Sequence, residues 1–178
     1  ENLGEGFADE VVSGCERPDH FAESLFAGLV RTIHGRNTQP LEEAKFPLSP
    51  CVPGTVKLFL APNGTYYPCS NLTHVFPVGN LETGPDPEKG LALYREFETL
   101  ERAECSRCWA VRFCRACLLR ARQGDRLSAQ RLRQWCPTFL RQLERAFRVY
   151  ISVASRDRGA WTRYYSTRPE NPLESLGD

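Results

Sequence analysis

The stretch Cys105-Ser-Arg-Cys108-Trp-Ala-Val-Arg-Phe-Cys114-Arg-Ala-Cys117 decides how this chain must fold. Four thiols within thirteen residues pair as disulfides only through small strained loops, whereas they converge readily on a metal or a cluster. Working outward, Cys136 follows the block, and Cys51 and Cys69 precede it, with Gly64 five residues ahead of Cys69. Seven of the eight cysteines therefore form one ordered pattern, and Cys15 stands apart.

A chain of 178 residues buries a real core without crosslinks. It begins at Glu1 and holds no methionine, so we expect a segment of something longer. No apolar run approaches the roughly 18 residues that span a bilayer, and residues 1 to 14 lack the shape of a signal peptide. We expect no membrane partner and a cytoplasmic location. An even cysteine count and the sequons Asn63-Gly64-Thr65 and Asn71-Leu72-Thr73 also suit a secreted disulfide protein. The first sequon, however, is explained by a turn. Net charge is +1, yet eleven arginines between 105 and 148 face only Asp125 and Glu144. These arginines read as a solvated helical face, as a nucleic-acid groove, or as cations offsetting a negatively charged cluster. Aromatic residues are not interleaved with them as a base-stacking platform requires, which argues against nucleic acid.

The expected fold class is α+β: a small β-hairpin followed by helices, stapled through the cysteines. Residues 18 to 34 read as an amphipathic helix with Ala22, Leu25, Phe26, Leu29 and Ile33 on one face and Gly35 past its end. A connector from Arg36 to Pro50 leads to Cys51. The β-formers Thr55–Leu60 and Thr65–Tyr67 flank Asn63-Gly64, the pair suited to a type I′ turn. If Pro62 faces Thr65, Cys69 stands opposite Leu58. Asp86 as cap and Pro87 in the first turn start a helix running through Leu91, Tyr94 and Leu100 to the cysteine block. Trp109 to Arg122 suits a helix that sets Cys114 and Cys117 on one face. Ser128–Trp135 and a helix opening at Pro137 follow, and from Arg156 onward we expect an extended tail. The expected domains are 1–45, an N-terminal helix and linker; 46–150, the cysteine-bearing domain; and 151–178, a C-terminal tail.

Zinc needs four ligands in a closed tetrahedron, which the CxxC-x5-CxxC run alone supplies, leaving Cys51, Cys69 and Cys136 as ordinary buried thiols. Two four-iron clusters use seven or eight thiolates, closer to the count. No CxxCH occurs for a haem, and His20, His34 and His74 have no catalytic context.

Twelve residues between Cys51 and Gly64, four more to Cys69, then CxxC, five residues, Cys114, a close Cys117 and a distant Cys136 closely resemble the seven-cysteine motif of the SPASM domain. That domain is the auxiliary-cluster module of radical S-adenosylmethionine enzymes that modify peptides. The likeness covers roughly residues 46 to 140, including Cys51-Val-Pro-Gly54, Leu58 to Cys69, Val78-Gly-Asn-Leu81 and Cys108-Trp109-Ala110. It implies two 4Fe-4S clusters with interleaved ligands, an outer one on Cys105, Cys108, Cys114 and Cys136 and an inner one on Cys51, Cys69 and Cys117. It also implies a part in maturing a ribosomal precursor peptide, where the clusters pass electrons and help position the peptide. The partners implied are the catalytic barrel of the parent chain and the precursor peptide.

This chain departs from the family in three ways. Two residues separate Cys114 from Cys117 where the family has three, which bears on the role of Cys117. The stretch Ala44–Pro50 lacks the extra upstream cysteine of some members, leaving the inner cluster an open position for which Cys15 is the remaining thiol. The CxxxCxxC loop that binds S-adenosylmethionine and its cluster is absent. We therefore expect no catalysis by this segment alone, and S-adenosylmethionine and a third cluster only in the missing barrel.

Overall fold

The computed structural model describes residues 2–36, 38–39, 51–53 and 57–168. Over these residues the protein is dominated by helices, with small antiparallel strand pairs. They divide into two compact units, one of residues 2–36, 38–39 and 137–168, the other of 51–53 and 57–136. The expected connector lies outside the described residues from Pro40 to Pro50, as do Gly54, Thr55 and Val56.

The first unit is helical. α1 (Leu3–Ser13) starts where Asn2 accepts from the Gly4 N–H at 3.3 Å, and it ends at Gly14 with φ 73. α2 (His20–His34) is capped by Asp19, whose carboxylate accepts from the Ala22 N–H at 2.8 Å. Two further helices are the C-terminal part of α5 (Ala129–Arg156) and α6 (Ala160–Ser166). Aromatic packing holds the unit together: Trp161 is buried, stacks on Tyr150 at 5.9 Å, meets Tyr164 edge-on at 5.7 Å, and donates its indole N–H to the Tyr150 carbonyl at 3.1 Å. Tyr164 donates to Glu23 at 2.5 Å, and Arg168 lies 3.9 Å over the Tyr164 ring while pairing with Glu23 at 3.1 Å.

In the second unit, β1 (Phe59–Leu60) pairs with β2 (Tyr66–Tyr67), and β3 (Gly79–Asn80) pairs with β4 (Gly84–Pro85). The Val78 N–H donates to the Tyr66 carbonyl and the Leu81 N–H to the Gly64 carbonyl, both at 2.8 Å, tying the two hairpins. α3 (Pro87–Cys105) is capped by Asp86, which accepts from the Lys89 N–H at 3.1 Å. After the cysteine block come a short α4 (Leu118–Ala121), the ribbon β5 (Arg122–Gln123) with β6 (Arg126–Leu127), and the first turns of α5. Leu72, Leu93, Phe97, Leu118 and Leu132 are among the buried side chains of this core, and Cys69, Cys105 and Cys114 pack against it.

Several expectations are corrected. Phe59 faces Tyr67 and Leu60 faces Tyr66, so the hairpin is one residue out of the expected register, which by continuation sets Leu58 opposite Pro68 rather than Cys69. The cause is Pro62, whose fixed φ suits the second position of a type I turn rather than a strand end. The Gly64 N–H closes that turn on the Ala61 carbonyl at 2.9 Å, and Gly64 follows at φ 79, the left-handed residue of a three-residue loop. Trp109–Arg122 is not one helix: a 3₁₀ turn at Val111–Phe113 gives way to extended backbone at Cys114 and again at Cys117. Ser128–Trp135 and the stretch after Pro137 form a single helix with Pro137 inside it. A helix loses one hydrogen bond at such a proline, at about 3 kcal/mol. Leu132, Phe139, Leu143, Ala146, Val149 and Val153, buried along that helix, offset the loss. The unpatterned N-terminus holds α1, and α6 stands within the expected tail.

Gly79 sits at φ 134, and a Cβ there would stand 2.3 Å from the Gly84 carbonyl oxygen. Gly79→Ala is expected to cost about 1–3 kcal/mol from backbone strain alone, more with the clash. Gly84→Ala, at φ 80 in open space, is expected to cost only about 1–2 kcal/mol. Urea unfolding midpoints of the two variants check the order.

Candidate metal centre

Each cysteine of the block owes its position to a break in regular structure. Cys105 is the last residue of α3, and its carbonyl accepts from the Cys108 N–H at 2.9 Å, which turns the chain sharply. The Cys108 carbonyl accepts from the Val111 N–H at 3.2 Å as the 3₁₀ turn begins. Buried Ala110 and Phe113 anchor that turn and leave Trp109 57% exposed. Cys114 then lies in extended backbone, φ −71 and ψ 132, where its sulfur accepts from the Ala116 N–H at 3.4 Å. Cys117 and Cys69 are alike: each is extended, and each immediately precedes a helical turn that closes on its own carbonyl. Cys136 stands on α5 and donates its S–H to the Leu132 carbonyl at 3.2 Å.

The thiols sort into two sets by the charges that act between them. Burial pushes the Cys105 thiol up to about 12, and Glu101, Cys114, Cys136 and Cys108 push the same way. Burial pushes Cys114 up to about 11; the Ala116 N–H opposes the shift, and Glu101, Cys136 and Cys108 reinforce it. Cys136 is raised by burial and then by Cys108, with Glu104 adding to the shift. Cys105, Cys108, Cys114 and Cys136 thus lie within electrostatic reach of one another. The second set is smaller. Burial raises Cys51, Lys57 opposes, and Cys117 and Cys69 reinforce. Cys117 therefore acts on the hairpin-side Cys51 although it is three residues from Cys114, and the backbone is extended at both Cys114 and Cys117.

All eight cysteines are free and half-buried. Cys15 stands in the other unit, just past α1. Among the described residues no group of three or more His, Cys, Asp or Glu side chains is placed to hold a single metal ion. The two sets are gathered, then, without being closed around one ion. As donor sets they are soft and sulfur-only, the chemistry of zinc and of iron–sulfur clusters.

Among the charges acting on Cys105, Cys114 and Cys136 are those of Glu101, Glu104 and other thiols. Arg133 is paired with Glu104 at 2.7 Å, and Arg120 lies 5.5 Å over the Trp135 ring. Glu101 was missed, although its place four residues before Cys105 on a helix entering the block was a readable signal. Beside Cys51, a cavity of ≈ 390 Å³ is lined by Val52, Pro53, Leu58, Val78 and Leu91, with Asp86 and Glu88. No helix among the described residues is long and apolar enough to cross a membrane. Compared with known proteins, the chain matches no family model, no curated protein and no solved structure.

A thiol whose value is raised on folding favours the fold while it is neutral. That contribution is fully present below the ordinary value of 9.0 and is lost as pH rises through about 11 for Cys114 and about 12 for Cys105. The metal-free protein is therefore expected to lose stability from pH 9.0 upward. In the double variant Cys105→Ser, Cys114→Ser the loss over the same range is expected to be smaller. Urea midpoints followed by circular dichroism under reducing conditions check both.

Proposed function

We propose that this chain is the auxiliary-cluster region of a radical S-adenosylmethionine enzyme that modifies a ribosomally made peptide. The observation that carries the proposal is the sorting of seven thiols into four and three. The set of Cys105, Cys108, Cys114 and Cys136 and the set of Cys51, Cys69 and Cys117 match the interleaved partition that the resemblance to the SPASM domain implies. Cys117 belongs with the hairpin thiols despite its place inside the block, which a single four-ligand zinc knot at the block does not require.

On this reading the four-thiol set holds an outer 4Fe-4S cluster and the three-thiol set an inner one with a coordination position left over. Bound there, such clusters supply one-electron transfer. The residues of the chain do the rest. Half-burial keeps water from the sulfurs, and the Ala116 N–H holds charge on the Cys114 sulfur. Val52, Pro53 and Leu58 offer an apolar wall next to Cys51 for a segment of the peptide, and Asp86 and Glu88 on the same cavity suit a basic residue of it. The radical itself comes from the barrel of the parent chain, since no CxxxCxxC loop is present in this sequence. Reduced thiols and an oxygen-sensitive centre suit a cytoplasmic setting.

Anaerobic reconstitution with iron and sulfide is expected to give about eight irons per chain, and Cys114→Ala about four, by elemental analysis. Stoichiometric zinc with iron near zero overturns the proposal in favour of a zinc-stabilised interaction module. Because metal ties the hairpin to the helical block, removing the iron is expected to lower the helical circular dichroism signal and the melting temperature together.

A further inference from the structure

The C-terminal half of α5 presents a stripe of arginines to water. Arg141, Arg145 and Arg148 are all exposed and follow one another at intervals of four and three residues, the spacing that aligns side chains on one face of a helix. Leu143, Ala146 and Val149 are buried, so the stripe lies opposite the side that packs. At a rise of about 1.5 Å per residue the three positions are spread over roughly 10 Å of helix. Like charges at these intervals weaken a helix, and other arginines of the same unit are neutralised: Arg156 by Asp9 at 2.6 Å, Arg168 by Glu23 at 3.1 Å, and Arg163 by Asp157. Among the described residues no carboxylate lies within ion-pair distance of Arg141, Arg145 or Arg148; Arg141 donates to the Thr138 hydroxyl at 3.3 Å.

The edge of the stripe says what kind of anion fits it. Glu144 and Ile151, two turns apart on that edge, are both exposed, Ile151 at 59%. A continuous phosphate backbone would meet a repelling carboxylate at Glu144 and has no use for the isoleucine, and no aromatic side chain stands in the stripe to stack a base. A polypeptide segment that mixes carboxylates with an apolar side chain matches stripe and edge together. We infer that Arg141, Arg145 and Arg148 form a docking face for an acidic, partly apolar segment of a polypeptide, with Ile151 taking its apolar residue. The inference stands apart from the cluster reading, because the stripe belongs to the first unit and the seven patterned cysteines to the second. Exposed ion pairs contribute little singly, so affinity comes from their number and falls steeply with salt. Such a face suits reversible docking rather than permanent assembly.

The test is fluorescence anisotropy with the full chain at low ionic strength and two labelled probes, a peptide of three Glu-Glu-Leu repeats and an all-glutamate peptide of the same length. Both are expected to bind, and to be released by about 0.5 M salt. Arg141→Gln, Arg145→Gln and Arg148→Gln together are expected to raise Kd for both probes at least about tenfold. The corresponding lysine set, and the matched set Arg107→Gln, Arg126→Gln and Arg131→Gln, exposed in the second unit, are expected to stay within about threefold of the parent. The glutamine set is compared at matched helical circular dichroism, and the single Arg145→Glu, expected to raise Kd at least about threefold, gives a second reading. Ile151→Ser is expected to weaken binding of the leucine-bearing peptide and to leave the all-glutamate peptide unchanged. A parent that binds neither peptide, a glutamine set that binds like the parent, or an Ile151→Ser variant that binds the leucine-bearing peptide like the parent each overturns the inference. Tighter binding of a labelled oligouridylate than of either peptide, lost in the glutamine set, overturns it in favour of nucleic acid.

Discussion

Half-buried sulfur atoms that act on one another's titration constrain the turns of the second unit. Burial raises four of the thiols, and the neighbouring thiols and carboxylates raise them further. The crowding is therefore tolerable only while the sulfurs remain neutral, or when a cation neutralises them together. Each element near them is arranged to bring that crowding about. α3 ends at Cys105, a 3₁₀ turn leads into Cys114, and the first turns of α5 carry Cys136. The hairpin delivers Cys69, and α4 begins at Cys117.

The electrostatic surroundings differ from what a count of charges suggests. Eleven arginines crowd residues 105 to 148, yet the side-chain charges that raise Cys105, Cys114 and Cys136 are those of Glu101, Glu104 and other thiols. Sequence distance is a poor guide here because arginine side chains are long and reach outward to water or to partners such as Glu104 and the Trp135 ring. A glutamate on the inner side of α3, by contrast, has nowhere to go but the core.

The cysteine pattern that marks the candidate site was legible in the chain, though not the turns that carry it, and the fold was unevenly legible. α2 and α3 announced themselves through an apolar stripe and through the Asp86-Pro87 cap, and both run close to the expected bounds. The partition of the seven cysteines was an expectation from the resemblance alone. What escaped did so for physical reasons. Pro62 moved the hairpin by one residue, since a locked φ prefers a turn to a strand. Pro137 reads as a helix boundary, but one missing hydrogen bond is outweighed by the apolar side chains buried along α5. Cys114 and Cys117 have helical spacing without helical backbone, because the block is shaped by tight turns rather than by periodicity. In α6 the packing residues Ala160, Trp161 and Tyr164 span barely more than one turn, too short a run to declare a period.

The order of the cysteines along the chain also bears on how the protein comes into being. Synthesis runs from the N-terminus, so the trio of Cys51, Cys69 and Cys117 is complete while the quartet still awaits Cys136. Cys117 lies within the loop that the quartet closes, between Cys114 and Cys136, so gathering either set shortens the free chain that must be ordered for the other. On the proposed cluster reading the polypeptide is laced rather than merely folded, and a nascent chain halted before residue 136 would expose three unmatched sulfurs from the quartet to any oxidant or stray ion it met.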